Sequence, residues 1–200
     1  GEAITIIIAL IVGLTIPMTP AQILWINMVL TVTLGLVLAF EPAEPDVMKR
    51  PPRRTGAGLL TPFLVWRIAF VSLLFVAGSF GIFAWALWRG FDVDTARTMV
   101  VNTLVAMEIF YLFNVRYMHM RSISLRGALG TPIVLAAIGA VVIAQLAFTY
   151  APFMHTLFAT RPIPLADGLL IIAIGVTVMV IMEIEKTIMR RTGLLQKLDV

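Results

Sequence analysis

Apolar residues along this chain come in long runs separated by short polar stretches, and the runs predict the elements. Six stand out, at roughly 2–16, 20–40, 60–88, 95–115, 132–150 and 165–185. A helix needs about 20 apolar residues to cross a hydrocarbon core about 30 Å thick, and the last five runs reach or approach that length. The first is about two-thirds as long and is expected to be the second half of a helix that starts earlier. No basic segment precedes it, so it does not read as a signal peptide. The pattern predicts an all-α fold: a polytopic transmembrane helical bundle of about six helices, the first truncated, spanning residues 1–200 as one membrane domain.

The stretches between the runs are loops by their chemistry. Thr15 to Pro20 is punctuated by two prolines. Glu41 to Gly58 is rich in proline and charge and has no apolar period, so it reads as an aqueous loop. Arg89-Gly90 followed by FDVDT closes the third run, Arg116 to Pro132 is polar, and Ala151 to Pro164 is a proline-rich connection.

Cation placement adds an orientation. Lys49, Arg50, Arg53 and Arg54 fall in one loop, Arg116, Arg121 and Arg126 in another, and Lys186, Arg190, Arg191 and Lys197 in the tail. With alternating spans all three segments lie on one side, which the positive-inside rule makes cytoplasmic. The C-terminus is then cytoplasmic, and a plasma membrane is the expected location. Trp85, Trp88, Tyr150 and Phe153 fall near the opposite interface, where amphipathic rings collect.

Composition excludes several classes. Hydrophobic residues make up 60% of the 200 and charged residues 13%, against about 25% charged in soluble domains. The net charge of +4 is spent on topology, so no nucleic-acid partner is expected; the lipid bilayer is. There is no cysteine, which removes disulfides and thiolate metal sites. His119 and His155 fall in loops on opposite sides and do not make one metal site.

Polar residues inside the runs carry the candidate chemistry, because a charge in hydrocarbon costs several kcal/mol and needs a reason. Glu108 lies mid-run in VAMEIFYLF, with Asn102 six residues before it and Asn114 six after. It reads as an ion ligand or proton carrier, against a protonated carboxyl bonded to a neighbouring helix. Glu2 reads as a coordinating carboxylate or as a frayed terminal residue in water. Asn27 and Thr31 are four apart and share a helix face, in a run that also carries Gln22, Thr33 and Gly35. They read as oxygen ligands for a hard cation or as interhelical hydrogen-bond glue. Arg67 sits within two turns of an end and is expected to snorkel. Gln145 reads as a lone packing amide, and Glu183 and Glu185 beside Lys186 as a solvated ion pair.

The stretch from Ala21 to Arg53 resembles the sixth transmembrane helix and following cytoplasmic loop of the P2-type cation-transporting ATPases, the calcium-pump-like branch. Gln22, Leu24, Trp25, Asn27 and Val29 carry the helix match; Pro42, Pro45, Met48, Arg50, Pro51, Pro52 and Arg53 carry the loop match. Gly1-Glu2 is similar to a Gly-Glu pair of helix five, Glu108 to an acidic residue of helix eight, and the six runs to helices five to ten. The resemblance implies the membrane part of an ATP-driven cation pump, with Glu2, Asn27 and Glu108 as cation ligands and Thr31 at the position where the family carries an aspartate. That hydroxyl favours a single cation, a monovalent ion, or a site completed by residues outside the chain; the ion, calcium or monovalent, stays open.

The resemblance further implies that residues 41–58, with Arg50, Pro51, Pro52 and Arg53, form a coupling loop against a cytoplasmic phosphorylation domain of the parent chain. The parent would use ATP and Mg2+, while the phosphorylated-aspartate motif DKTGT is not in these 200 residues and no cofactor is expected here. The implied partners are the upstream helices and that phosphorylation domain. A secondary transporter or channel subunit, or a non-transporting membrane scaffold, is the alternative.

Overall fold

The computed structural model describes residues 2–13, 15–30, 35, 62–115 and 132–191. They form seven helices and, among the described residues, no strand: α1 (Glu2–Val12), α2 (Pro20–Leu30), α3 (Pro62–Trp88), α4 (Val93–Val115), α5 (Pro132–Tyr150), α6 (Pro152–Phe158) and α7 (Leu165–Arg191). Four of these, α3, α4, α5 and α7, are long and apolar enough to cross a membrane. The expected loop at 41–58, with Arg50, Pro51, Pro52 and Arg53, lies outside the described residues, as do Thr31 and His119.

The bundle is organised around α4. It is the least apolar of the four long helices, yet 56% of its spanning window is buried, against 28% in each of the others. The reason lies in its sequence. Asn102, Glu108 and Asn114 recur every six residues, and at 3.6 residues per turn each step rotates by about 120°. The three polar groups therefore point in three directions, and a helix polar on every side cannot face lipid on any. The centre of a bundle is the place where each group can find a partner.

Two glycines let neighbours approach α4 closely. A Cβ on Gly78 of α3 would stand 2.8 Å from Met107 Sδ. One on Gly175 of α7 would collide with the Phe110 ring and stand 3.3 Å from the Ala106 carbonyl carbon. Helix association in lipid depends on such close contact, because hydrocarbon tails already solvate apolar side chains as well as another helix does. The faces of α7 turned outward carry Leu165, Leu169, Ile172 and Ile184, all more than half exposed, as a lipid-facing surface requires.

Helix ends follow local chemistry. Thr19 and Gln22 form a reciprocal capping box at the start of α2: Gln22 N donates to Thr19 Oγ1 at 3.2 Å, and Thr19 N donates to Gln22 Oε1 at 3.0 Å. Pro20 occupies the first helical position, where its missing N–H costs nothing. Helix α3 ends in a Schellman turn, with Phe91 N donating to Ala86 O and Gly90 N to Leu87 O. Gly90 takes φ +85° there, a conformation that disfavours side chains with a Cβ. Asp92 caps α4, accepting from Thr95 N at 3.3 Å and from the Thr95 hydroxyl. The Thr95 hydroxyl bond holds the Asp92 carboxyl below the usual carboxylate range; desolvation opposes it, and backbone N–H groups and Arg161 add smaller help.

Three features differ from the sequence pattern, the first being that α1 ends at Val12 rather than near residue 16. The connection at 151–164 holds a short helix, α6, because Pro152 stands at its start, where proline is preorganised. It ends at Ala159, in the left-handed region at φ 52°. Helix α7 runs on to Arg191, beyond the expected end near 185, since the polar residues of its last turns are held by the bundle.

Candidate cation site and its polar surroundings

The residues predicted to bind a cation are only partly in view. Glu2 opens α1, and its side chain lies outside the described residues. Asn27 is exposed on α2 and donates from Nδ2 to Ile23 O at 3.1 Å. Glu108 is half-buried about one turn past the middle of α4 and takes part in a polar contact. Asn27 and Glu108 thus stand on two helices that touch. Among the described residues no three carboxylate or histidine groups gather as a closed metal site.

On α4, Glu108 sits between two polar clusters that sequence reasoning did not assemble. The first joins α2, α4 and α5. Trp25 Nε1 donates to Gln145 Oε1 at 3.3 Å, and Gln145 Nε2 donates to Asn102 Oδ1 at 3.2 Å. Asn102 Nδ2 reaches Thr149 Oγ1 at 3.0 Å and Thr98 O at 2.8 Å. Gln145 is therefore no lone amide. It is the middle of a chain running from the indole of α2 to α4, and the reason is accounting: a buried amide keeps its stability only when its donors and acceptors are paired. Trp25 also stacks on Phe148 at 5.2 Å and meets Phe158 edge-on at 5.3 Å, while Gln22 Nε2 donates to Phe158 O at 3.0 Å. These contacts fix the orientation of α2, and with it the position of Asn27.

The second cluster joins α3, α4 and α7. Arg67 is 8% exposed, so it does not snorkel. Its Nη1 donates to Glu185 Oε2 at 2.6 Å and its Nη2 to Asn114 Oδ1. Asn114 Nδ2 donates to Glu183 Oε2 at 3.2 Å, and Lys186 Nζ lies 3.7 Å from the same oxygen. Trp66 Nε1 donates to Glu185 Oε1 at 3.1 Å. Glu183, Glu185 and Lys186 are thus part of a buried, formally neutral network of two cations and two carboxylates. The expectation of a solvated pair fails because α7 continues against α3 and α4, and a charge removed from water must be paired to stay ionised. Spacing alone gives no signal for this, because Arg67 and Glu185 are 118 residues apart.

At the other end of the bundle two charged groups tie the helices together. Arg89 Nη1 donates to Asp167 Oδ1 at 2.9 Å, joining α3 to α7. Asp94 lies 3.7 Å from Arg97 and 3.9 Å from Arg161, and Arg97 Nε donates to Ile16 O at 3.1 Å. Of the four aromatic residues expected at this interface, Trp88, Tyr150 and Phe153 are exposed, while Trp85 is partly buried against the core with Arg89 over its ring. His155 Nε2 is 2.9 Å from Thr149 O, a local contact that orients α6.

The chain matches known proteins along nearly its whole length. Residues 15–188 match the family described as "Cation transporting ATPase, C-terminus". A Mycobacterium tuberculosis protein named "Probable cation-transporting ATPase F" is 40% identical over 190 residues, covering 95% of this chain and 21% of the relative. A Synechocystis protein named "Cation-transporting ATPase pma1" is 34% identical over 81% of the chain and 18% of its own length. A Yarrowia lipolytica protein named "Calcium-transporting ATPase 1" is 30% identical over 90% of the chain and 19% of its own length. The chain spans about a fifth of the length of these relatives. This chain, whose described residues form a helical bundle with four spanning helices round a central one that carries Glu108, thereby belongs to the cation-transporting ATPase C-terminal family, the membrane part of P-type cation pumps.

Proposed function

We propose that this chain supplies cation ligands and the helix framework for ATP-driven transport by a longer protein that contains it. The observation that carries the reading is Glu108, a half-buried carboxylate well inside the central spanning helix and far from either of its ends. The two polar clusters hold the helices together, and Glu108 is the carboxylate that α4 carries between them. Asn27, Thr31 and Glu2 would add oxygen ligands from the first two helices. Carbonyl, hydroxyl and carboxylate oxygens suit a hard cation. With Thr31 as a hydroxyl, the set favours one divalent ion or a monovalent ion over two divalent ions. The Yarrowia relative is named for calcium, which makes calcium the first ion to test.

ATP and Mg2+ would act in cytoplasmic domains elsewhere in the protein. Residues 41–58 would lie against the phosphorylation domain, with Arg50, Pro51, Pro52 and Arg53 transmitting its movement to α2. The basic loops and tail would face the cytoplasm and the protein would reside in the plasma membrane, by the positive-inside rule. The test is ATPase activity of the full-length protein across Ca2+, Mn2+, Na+, K+ and H+, with Glu108→Gln alongside. One cation should stimulate turnover, and Glu108→Gln should raise the concentration needed for half-stimulation at least about tenfold, as loss of an anionic ligand worth about 1.4 kcal/mol would. Unchanged cation dependence in Glu108→Gln would remove Glu108 from the site.

A further inference from the structure

We infer that Gln145 is a positioning residue for cation binding: its hydrogen bond to Trp25 holds α2 in the rotation that presents Asn27. This role rests on the reading of Asn27 and Glu108 as cation ligands. Gln145 and Trp25 are both 7% exposed and meet at 3.3 Å between α5 and α2. The chain of bonds they belong to has one possible direction, because an indole N–H only donates and a backbone carbonyl only accepts. Trp25 Nε1 fixes the Gln145 oxygen toward α2, which turns Gln145 Nε2 toward Asn102 Oδ1. At the far end, Thr98 O fixes Asn102 Nδ2 toward itself. Neither amide can turn over without setting two donors or two acceptors face to face.

Helix α2 touches α4, α5 and α6, and the side chains that tie it to them stand in its first two turns. Gln22 bonds Phe158 O, while Trp25 stacks on Phe148 and bonds Gln145. A stacked ring pair tolerates sliding and turning, whereas a hydrogen bond weakens steeply as its angle closes. The bond to Gln145 therefore sets the rotation of α2. Asn27 follows two residues after Trp25, turned from it by about 200°, and is exposed. A rotation of α2 about its own axis swings Asn27 through the same angle. Without the bond to Gln145, α2 samples several rotations, of which one presents Asn27 for coordination. Apparent cation affinity then falls by the fraction of time spent in that rotation, and saturating cation restores the competent state.

The test is ATPase activity of the full-length protein, titrated with whichever of Ca2+, Mn2+, Na+, K+ and H+ stimulates the wild type. Gln145→Met keeps the length of the side chain and leaves the Asn102–Thr149 pair in place. It should raise the half-stimulating concentration about fivefold, as loss of one neutral hydrogen bond would, with turnover at saturating cation unchanged. Trp25→Phe keeps an aromatic ring on Phe148 and lacks the N–H; it should do the same, and it does not depend on Gln145→Met folding. The two together should shift the titration no further than the larger single shift, since both remove one bond. Arg89→Met breaks the tie between α3 and α7 and should lower the thermal midpoint without moving the titration. Three results would each overturn the positioning role: an unchanged half-stimulating concentration in Gln145→Met and Trp25→Phe, a double shift equal to the product of the single ones, or an equal shift in Arg89→Met. Glu108→Gln separates the two possible failures. A shift there with none in Gln145→Met removes Gln145 alone, whereas no cation stimulation, or no shift in Glu108→Gln, removes the ligand reading and this role with it.

Discussion

Arg67 shows how single residues decide this bundle. Its guanidinium bonds Glu185 and Asn114 at once, so its loss would leave a buried carboxylate without its cation. Removing one partner of a buried pair costs about 3–5 kcal/mol, whereas replacing both by apolar groups is often neutral. Arg67→Met should therefore lower the thermal midpoint in detergent sharply, and Arg67→Met with Glu185→Met should recover much of the loss. A double variant no more stable than the single one would show that the geometry of the network, and not its charge, holds the helices. Asp92 works at the same scale but outside the membrane. Its carboxyl is held below the usual range by the Thr95 hydroxyl, so the ionised cap favours the folded state. That stabilisation is complete above the ordinary carboxylate pKa and is lost as pH falls through the lower native value. Asp92→Ala should cost about 1 kcal/mol near neutral pH and less in acid. A wild-type-minus-variant difference in unfolding midpoint that does not shrink below about pH 4 would contradict this reading.

Elements are positioned by where side chains are absent as much as by where they are present. Gly175 and Gly168 lie two turns apart on α7 and should respond in opposite ways. A side chain at 175 would strike Phe110 and the α4 backbone, whereas one at 168 enters open space. Gly175→Leu should cost about 1–3 kcal/mol through overpacking and loosen α7 from α4. Gly168→Ala should be neutral or slightly stabilising, because alanine restricts the unfolded chain. Thermal unfolding of the two variants in one detergent checks both, and equal losses would mean that the α4–α7 contact is not set by Gly175. Four of the six runs were readable in sequence as spanning helices, because about twenty apolar residues in succession leave few alternatives. The short helix α6 was not, since seven residues between two prolines do not show a period.

For the whole molecule, the polar clusters divide the work. The Arg67 network binds α3, α4 and α7 into one unit. The Trp25–Gln145–Asn102 chain ties α2 to α4 and α5. Helix α2, which carries Asn27, therefore cannot shift without disturbing the helix that carries Glu108. In the proposed pump this coupling would pass movement of the 41–58 loop to the ion. Arg50→Ala or Arg53→Ala in the full-length protein should leave ATP turnover measurable while transport into sealed vesicles falls several-fold. Transport that stays in proportion to turnover would exclude the loop from that role.

The sequence by itself determined the solvent and the register of the chain. The apolar runs, their lengths and the loop chemistry require a helical membrane bundle, and the Gln22–Arg53 resemblance pointed to the family that residues 15–188 match. Glu108 stood out because no local feature explains a carboxylate at that depth. The tertiary structure alone decided which polar residues were already engaged. Arg67 and Glu185 meet across 118 positions, and Trp25 and Gln145 across 120. Hydropathy is a local property, whereas pairing a buried charge or amide depends on which helix lies alongside, and that is settled only when the helices pack.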